Sequence, residues 1–556
     1  MKKKFLNIEE TFSLAVENHK KNDFKSAEKF YNEVLKKDSN HFKSIFYLAS
    51  LSAQTKKYNT AKKLFEKIIY IKPNYDVAHA NLGAVLKELG KFRESVDACK
   101  KAILIKPNNS VAYSNLGAAL KELSKFKESK DACKKAISLE PKNLSAYLNL
   151  GLVLEELGEI KEAINCYQKL SKIKSNSVNA YQNLGKLNVM LGEKEEAIKY
   201  YKLAIKYDPE NLSHHYALSD LDRSSLDENL NKRIKELKSK GNLKKQNLSY
   251  SNFLLSKYAL NSKNYEKEFN YLLKGHSNYL MSEKAEYRKD VEYWLNILPK
   301  NDELNNLNSQ NKKTEINKDI FAPIFIIGVP RCGSTMIEKI IASGPQNIPI
   351  GEETGIISSF VKQKIIQQKA IYTKTNDMRE DLIERYKEKK IIQQNNNYIF
   401  TDKTLDNFFY IRLIKDIFPL SKIINCKRDP LSSIMSILKN NLPNVPWAHD
   451  LDHIFRYFDI YYELINNYNR IFPNFIYELS LEKLSFEPEN ESKKLMKFCG
   501  LPWGENCLKF YNRKDLISKT TSNLQIRRAI YRHTPDKYLP YKKLLNKFGS
   551  KYSWFN

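Results

Sequence analysis

A loop between an apolar run and an amphipathic stretch carries the residues best suited to hold an anion. Residues 323–328 have the pattern of a buried parallel strand, and residues 336–341 have that of a helix. A turn that ends at a helix N-terminus presents backbone N–H groups, which attract phosphate-like groups. The loop between the two elements contains Arg331, Cys332, Gly333, Ser334 and Thr335. We therefore predict a nucleotide site at this loop.

The same loop lacks the cation that an ATPase or a kinase requires. The spacing from Gly328 to Gly333 is that of a Walker A loop, but Ser334 stands where that loop needs Lys. Arg331 supplies a cation earlier in the loop instead. A nucleotide with a diphosphate-like end and no metal requirement fits this pattern better than ATP or GTP.

The loop and three later segments resemble those of sulfotransferases. Residues 329–335, Val-Pro-Arg-Cys-Gly-Ser-Thr, look like the family's 5′-phosphosulfate loop, Pro-Arg-Ser-Gly-Thr-Thr. Residues 351–354, Gly-Glu-Glu-Thr, resemble a stretch of protein-tyrosine sulfotransferases, and residues 401–404 match the position of a family lysine. A second apolar strand, residues 422–426, leads to an Arg and a Ser eight residues apart, similar to the family's 3′-phosphate site.

The resemblance implies 3′-phosphoadenylyl sulfate (PAPS) as co-substrate and no metal. Sulfuryl transfer, like phosphoryl transfer, requires mainly positioning and stabilisation of charge. The backbone amides of residues 332–335 would hold the 5′-phosphosulfate, and Arg331 would bind its phosphate side. Lys403 would neutralise charge on the bridging oxygen, while Arg428 and Ser436 would bind the 3′-phosphate.

The residues on the acceptor side are implied by the same resemblance. Glu353 corresponds to the family's base, provided that burial raises its pKa, and Glu352 competes for this role. Ser518 aligns, across a gap, with a serine that assists the transition state. Arg527 and Arg528 lie in a late segment similar to a cofactor contact of the family.

Two departures from the tyrosine-directed enzymes leave the acceptor open. Those enzymes carry an Arg two residues after the base, where this chain has Gly355, and a later Tyr is replaced by Leu481. Cofactor handling therefore follows from the resemblance, whereas the acceptor hydroxyl can belong to a tyrosyl peptide, a glycan or a small alcohol.

The N-terminal half repeats with a period of 34 residues, which is that of tetratricopeptide units. Small residues recur in one register at Ala15, Ala49, Gly83, Gly117, Gly151 and Gly185. Unit ends carry Pro73, Pro107, Pro141 and Pro209. Small residues let paired helices approach closely, and Pro stops the second helix of a pair. We predict six units over residues 8–211, stacked into a superhelix.

These patterns predict a multidomain chain. After the array 8–211 we expect a helical capping or extra-repeat region 212–299, a linker 300–318 and a sulfotransferase domain 319–556. The expected fold class is an all-α tetratricopeptide superhelix followed by an α/β P-loop-like domain with a parallel sheet. Array and domain together resemble bacterial tetratricopeptide-repeat sulfotransferases over nearly the full chain.

The charge and the apolar content exclude several classes of protein. The 556 residues include 93 Lys and Arg against 64 Asp and Glu, a net charge of +29, but the lysines are spread along the whole chain. A nucleic-acid binder concentrates its basic residues, so we assign the charge to a solvated surface and expect no nucleic-acid partner. No apolar run reaches the roughly 18 residues of a membrane-spanning helix.

Seven thinly spread cysteines form no CxxC or Cys/His cluster, which argues against a disulfide framework and a zinc site. We therefore expect a reducing cytoplasm. Glu9 and Glu10 interrupt the apolar stretch that a signal peptide would need. Cys332 is expected to be a small filler, since no His accompanies it.

Two hypotheses from different classes of function follow. The first is a PAPS-dependent sulfotransferase whose array recruits a protein, a peptide or the acceptor. The second is a non-catalytic protein-binding scaffold with a degenerate nucleotide-binding domain. Degenerate enzymes usually lose charged site residues, and this chain keeps them, which favours catalysis. The array can instead be a spacer or a homodimer contact.

Overall fold

The computed structural model describes residues 7–241, 243–283, 285–305, 321–392, 398–513, 515–516, 526–532 and 534–555. Ser518, residues 521–525 of the late segment and most of the predicted linker 300–318 lie outside these ranges. The chain divides into two compact units, Met1–Leu187 and Asn188–Asn556, and the boundary falls within one helix.

The predicted repeat array is a series of paired helices. They are α1 (Ile8–Lys20), α2 (Phe24–Lys37), α3 (Phe42–Gln54), α4 (Tyr58–Ile71), α5 (Asp76–Glu88), α6 (Phe92–Ile105), α7 (Ser110–Glu122), α8 (Phe126–Leu139), α9 (Leu144–Glu156), α10 (Ile160–Ile173), α11 (Val178–Leu191) and α12 (Lys194–Tyr207). The helices α4, α6, α8 and α12 each end two residues before a proline of the predicted register. This agreement follows because Pro lacks the N–H group that would continue the helix.

Small residues bring the two helices of one unit into close contact. The Ser95 hydroxyl donates a 2.6 Å hydrogen bond to the Gly83 carbonyl, and Ser129 makes the same bond to Gly117. A Cβ atom on Gly117 would lie only 2.4 Å from Cys133 Sγ. The glycine register of the sequence therefore marks positions where the neighbouring helix leaves no space for a side chain.

Replacing Gly117 with Ala should destabilise the array by about 1–3 kcal/mol, because the new methyl group overlaps Cys133 Sγ. On a Cys133→Ala background the same change should be neutral or stabilising, since Ala favours a helix over Gly by about 0.5–1 kcal/mol. Urea unfolding followed by far-UV circular dichroism measures both effects. Equal losses on the two backgrounds would contradict the packing argument.

The described residues from 212 to 305 are largely helical, and the pattern over residues 212–299 predicts helices there. The region comprises α13 (Leu212–Leu221), α14 (Glu228–Ser239), α15 (Lys245–Asn261), α16 (Tyr265–Ser282), α17 (Ala285–Glu292), a π-helical stretch Tyr293–Ile297 and α18 (Asp302–Asn305). The Ser249 hydroxyl of α15 donates to the Gly275 carbonyl of α16 at 2.7 Å. A Cβ on Gly275 would lie 2.8 Å from Phe253. This pair of helices therefore uses the packing device of the repeat units.

Four parallel strands form the sheet of the second unit, in the order β2-β1-β3-β4. They are β1 (Ile324–Gly328), β2 (Thr401–Asp402), β3 (Lys422–Lys427) and β4 (Ile476–Ser480). The interior strand β1 is buried along its whole length, as its continuous apolar run predicts. The two strands expected from the sequence are thus confirmed, and the fold class is as predicted.

Helices connect and follow these strands. They are α19 (Ser334–Ala342), α20 (Ile356–Ile366), α21 (Thr375–Glu388), α22 (Ile411–Ile417), α23 (Pro430–Leu438), α24 (Leu451–Ile471), α25 (Leu481–Phe486), α26 (Pro488–Cys499) and α27 (Leu539–Gly549). Because parallel strands end at the same edge of a sheet, the segments after β1, β2 and β3 meet there. Those segments carry the predicted site residues.

The helical region before the sheet packs into the same apolar core as the sheet. Members from both parts are Phe253, Leu272, Tyr293, Phe325, Ile424 and Met435. Polar contacts reach the segment after α23: Asn441 Nδ2 donates to the Tyr250 hydroxyl at 3.2 Å, and Lys439 Nζ lies 2.9 Å from Glu268 Oε1. The helices therefore support α23, which carries Ser436. Leu304, within the predicted linker 300–318, is also buried in this core.

Candidate active site

Two glycines let the loop after β1 turn sharply. Gly328 ends the strand with φ of 149°, and a Cβ there would lie 2.8 Å from the Cys426 carbonyl oxygen of β3. Gly333 has φ of 93°, and its Cβ would lie 2.7 Å from Leu481 Cδ1. The helix α19 begins at the next residue, Ser334. Its N-terminus, which favours anions, is thus placed at the carboxyl edge of the sheet.

The structure brings together three residues that the sequence assigns to the nucleotide. Arg331 Nε donates a 3.0 Å hydrogen bond to the Ser436 hydroxyl on α23. Arg428, which follows β3, donates from Nη1 to the Arg331 carbonyl oxygen at 2.8 Å. Among the described residues, the buried Nε of Arg428 has no hydrogen-bond partner. An anion in this corner would satisfy that donor.

The electrostatics of this corner favour an anion as well. Burial and the neighbouring Arg428 guanidinium both lower the pKa of Arg331. Two like charges held close together out of water raise the free energy of the site, and a negatively charged ligand offsets that cost. The cluster of Arg331, Arg428 and Ser436 is therefore suited to bind a phosphate group.

A pair of oppositely charged side chains lies at the end of β2. Lys403 Nζ lies 3.2 Å from Glu353 Oε1; the lysine side chain is fully buried, whereas that of Glu353 is 58% exposed. Burial lowers the pKa of Lys403, but Glu353, Glu338 and Glu352 outweigh this and raise it above its ordinary value. Lys403 therefore stays protonated. The burial expected of a base at Glu353 is absent, and Glu353 is instead the member of the pair that an incoming molecule can reach.

Glu352, the competing carboxylate, points elsewhere. Its backbone has φ of 55°, in the left-handed region, and its N–H donates to Glu338 Oε1 at 3.0 Å. Its own Oε1 lies 3.8 Å from Lys339 Nζ. The sharp local turn thus separates the two neighbouring glutamates, so that Glu353 faces Lys403 and Glu352 faces Lys339.

A buried aspartate fixes the segment that carries Lys403. Asp402 Oδ1 accepts the Thr404 N–H at 3.0 Å, and its Oδ2 accepts hydrogen bonds from the hydroxyls of Thr354 (2.7 Å) and Tyr386 (2.6 Å). The Gly355 N–H in turn donates to the Thr404 hydroxyl at 3.0 Å. These hydrogen bonds therefore join the Gly-Glu-Glu-Thr stretch to the Thr-Asp-Lys-Thr stretch.

Of the other sequence candidates, Cys332 follows Arg331 in the loop, whereas Arg527 and Arg528 lie in the late segment. Cys332 is fully buried, with Sγ 3.0 Å from where a Cβ on Gly328 would lie, as a small filler would be. Arg527 donates to the Arg513 carbonyl at 3.1 Å and lies beside Gly192, while Arg528 is exposed. The roles of Arg527 and Arg528 stay predictions, and Ser518 lies outside the described residues.

Sequence reasoning missed two charged residues of α19, Glu338 and Lys339, which are both buried. The signal was available, because the helix Ser334–Ala342 is otherwise apolar over its second half and a charged pair there is out of place. What the sequence could not supply is the partner of each charge.

Comparison with known proteins fits this geometry. Residues 323–505 match the model of the sulfotransferase family. Residues 43–75, 77–109, 110–143 and 143–210 match tetratricopeptide repeat models. The chain thus carries a sulfotransferase family domain preceded by tetratricopeptide repeats.

A protein of Aquifex aeolicus (strain VF5), described as uncharacterized, is 27% identical over 322 residues. The match covers 54% of this chain and 41% of the Aquifex protein, so this chain spans less than half the length of that relative.

Two solved structures are similar to a part of this chain. The crystal structure of MamA has 27% identity and a TM-score of 0.26, covering 29% of this chain and 95% of MamA. PilW, a type IV pilus biogenesis factor, has 20% identity and a TM-score of 0.34, covering 36% of this chain and 94% of PilW.

None of the helices in the described ranges is both long and apolar enough to cross a membrane. Within the same ranges, no group of three or more His, Cys, Asp or Glu side chains could hold a metal ion.

Proposed function

We propose that this chain is a PAPS-dependent sulfotransferase that moves a sulfuryl group to an acceptor hydroxyl. The observation that carries the proposal is the Lys403–Glu353 pair, with 3.2 Å between Nζ and Oε1, at the sheet edge where the anion-binding loop also ends. A buried cation and a reachable carboxylate at that place are what transfer of a charged group between two oxygens needs.

The residues present fit the donor. The N-terminus of α19 can hold the 5′-phosphosulfate through its backbone amides. The cluster of Arg331, Arg428 and Ser436 can hold the 3′-phosphate, and such a phosphate would accept a hydrogen bond from the buried Arg428 Nε. The helix N-terminus and the arginine cluster lie at the same sheet edge, which suits a ligand with one phosphate group for each of them.

Glu353 and Lys403 have separate roles in the proposed reaction. PAPS, when bound, supplies the sulfuryl group and the leaving nucleotide. Glu353 takes the proton of the acceptor hydroxyl while the oxygen of that hydroxyl bonds to sulfur. Lys403 neutralises the oxygen that loses its bond to sulfur and keeps the electron pair.

Replacing Arg428 with Ala should weaken binding of 3′-phosphoadenosine 5′-phosphate (PAP) by about 1.5–3 kcal/mol, because a charged hydrogen bond to the 3′-phosphate is lost. Adenosine 5′-phosphate, which lacks the 3′-phosphate, should lose much less. Titration calorimetry measures both ligands. Lys427→Ala is the matched control, since that neighbouring side chain pairs with Glu478 at the surface.

Equal losses for both ligands would overturn the assignment of Arg428 to the 3′-phosphate. Tight binding of ATP with no binding of PAP would favour a kinase-like nucleotide site instead. Binding of PAP without any turnover of PAPS would favour the scaffold hypothesis.

We propose that the acceptor is a hydroxyl group of a tyrosyl peptide or a glycan and that the array recruits it. The tyrosyl peptide is suggested by the Gly-Glu-Glu-Thr stretch, which resembles that of protein-tyrosine sulfotransferases. Incubating the chain with sulfur-labelled PAPS and a cell lysate identifies the class of acceptor. Label in protein, in glycan or in small alcohols separates the three classes.

A further inference from the structure

Glu338 is buried at a position where a charged side chain is costly. It lies on α19, four residues after the helix begins, and its side chain is fully shielded from solvent. A carboxyl group in such a place must be hydrogen-bonded or neutral to be tolerated. The proposed reaction as described above assigns Glu338 no role.

The hydrogen bonds of Glu338 reach both halves of the proposed catalytic pair. Its Oε1 accepts from the Thr401 hydroxyl at 2.8 Å and from the Glu352 N–H at 3.0 Å. Thr401 begins the strand that leads to Lys403, and Glu352 directly precedes Glu353. One carboxyl oxygen therefore links α19 to the two segments that carry the reacting groups.

The two segments are close and the turn between them is strained. A Cβ on Gly351 would lie 2.2 Å from the Thr401 carbonyl oxygen. The Gly351 N–H donates to the Thr401 hydroxyl at 3.2 Å. Glu352 has φ of 55°, a left-handed conformation that is unfavourable for a residue with a side chain and persists only where neighbours hold it. Glu338 accepts the N–H group of that strained residue.

Charged groups of both signs surround Glu338. Burial and Glu352 raise the pKa of its carboxyl group, Lys403 and Lys339 lower it, and the net direction is upward. Its Oε2 has no hydrogen-bond partner among the described residues. Both hydrogen bonds to this carboxyl group are therefore accepted by Oε1, from the two segments that carry Lys403 and Glu353.

We propose that Glu338 is a positioning residue of the transfer reaction. By accepting the Thr401 hydroxyl and the Glu352 N–H on one oxygen, it holds the turn that directs Glu353 toward Lys403 and Glu352 toward Lys339. This inference rests on the proposed sulfotransferase function for its kinetic consequence, but the contact itself does not depend on that function.

The test compares three variants of the full chain: Glu338→Gln, Glu338→Ala and Thr401→Val. Gln keeps an amide oxygen that can accept both hydrogen bonds, and its NH₂ group takes the place of Oε2. PAPS turnover with water as the acceptor should stay within about threefold of wild type for Glu338→Gln. It should fall about 10–100-fold for Glu338→Ala, since a small misplacement of reacting groups has effects of this order.

Hydrogen exchange of the Glu352 amide provides a readout that needs no turnover. It should be faster in Glu338→Ala and close to wild type in Glu338→Gln. Thr401→Val removes one donor to Glu338 but leaves the Glu352 N–H bond, so exchange should rise less than in Glu338→Ala. PAP affinity, measured by calorimetry, should change less than about threefold in all three variants.

The outcomes separate the inference from the proposed function. Unchanged Glu352 exchange in Glu338→Ala overturns the positioning role, whatever the activity. A Glu338→Gln variant as slow as Glu338→Ala overturns it too, since the lost charge would then be the cause. Wild-type protein that neither binds PAP nor turns over PAPS, with water or with a cell lysate as the source of acceptor, overturns the proposed function, while the exchange measurement still decides the contact. If Glu338→Ala fails to fold, the exchange of the Glu352 amide is compared between Glu338→Gln and Thr401→Val instead.

Discussion

Replacing Glu353 with Gln should lower kcat for PAPS turnover by about 10²–10⁴-fold while PAP affinity barely changes. Gln has the shape of Glu and can still accept a hydrogen bond from Lys403, which lies 3.2 Å away. It cannot take a proton from an acceptor hydroxyl. Because the Glu353 side chain is 58% exposed, the change should leave the fold intact. Steady-state kinetics with labelled PAPS, together with calorimetry, measure the two quantities.

Glu352→Gln is the matched control for this prediction. Its carboxylate lies toward Lys339 rather than Lys403, so the variant should retain most of the wild-type kcat. Collapse of activity in Glu352→Gln with near-normal activity in Glu353→Gln would move the base one residue earlier. Near-normal activity in both variants would end the general-base proposal.

The parts of the fold that the sequence predicts are those with a periodic cause. The 34-residue register marks positions such as Gly117, where Cys133 leaves no space for a side chain. The continuous apolar run 323–328 predicts β1 because an interior parallel strand is buried on both faces. Both patterns report local packing demands, which repeat along the chain and can be recognised without a structure.

Contacts between distant segments could not be predicted in this way. Strand β2 has only two residues, too few for any pattern, yet it sets the position of Lys403. Glu338 contacts Thr401, 63 residues away along the chain. The sequence of the helices before the sheet indicates an apolar face on each helix. That pattern does not predict that the apolar face packs against the core of the sheet. The predicted separation of residues 212–299 from the domain 319–556 stays a prediction.

The sequence predicts which cationic residues form the site, but it predicts the geometry of the site less well. The loop pattern indicates Arg331, and the resemblance to sulfotransferases implies Arg428 and Ser436. The structure joins the three residues by hydrogen bonds of 3.0 and 2.8 Å. The choice between Glu352 and Glu353 depends on a left-handed turn that no sequence pattern specifies. Side-chain direction in such a turn is a property of its neighbours, here Glu338 and the lysines.

Replacing Lys403 with Met should lower kcat by about 10²–10³-fold, because the charge on the oxygen that leaves sulfur is no longer neutralised. Met fills the volume of the fully buried lysine stem without its charge. Lys389→Met is the control, since that lysine donates to the Thr354 carbonyl at 2.7 Å on the neighbouring loop and should affect kcat little.

The double variant Glu353→Gln/Lys403→Met distinguishes this effect from the loss of the base. Lys403 and Glu353 are proposed to act on different oxygens, so the double variant should be slower than either single variant. Two groups that act as one unit would instead give a double variant no slower than the slower single variant. A Lys403→Met variant with wild-type kcat would show that the lysine only supports the fold.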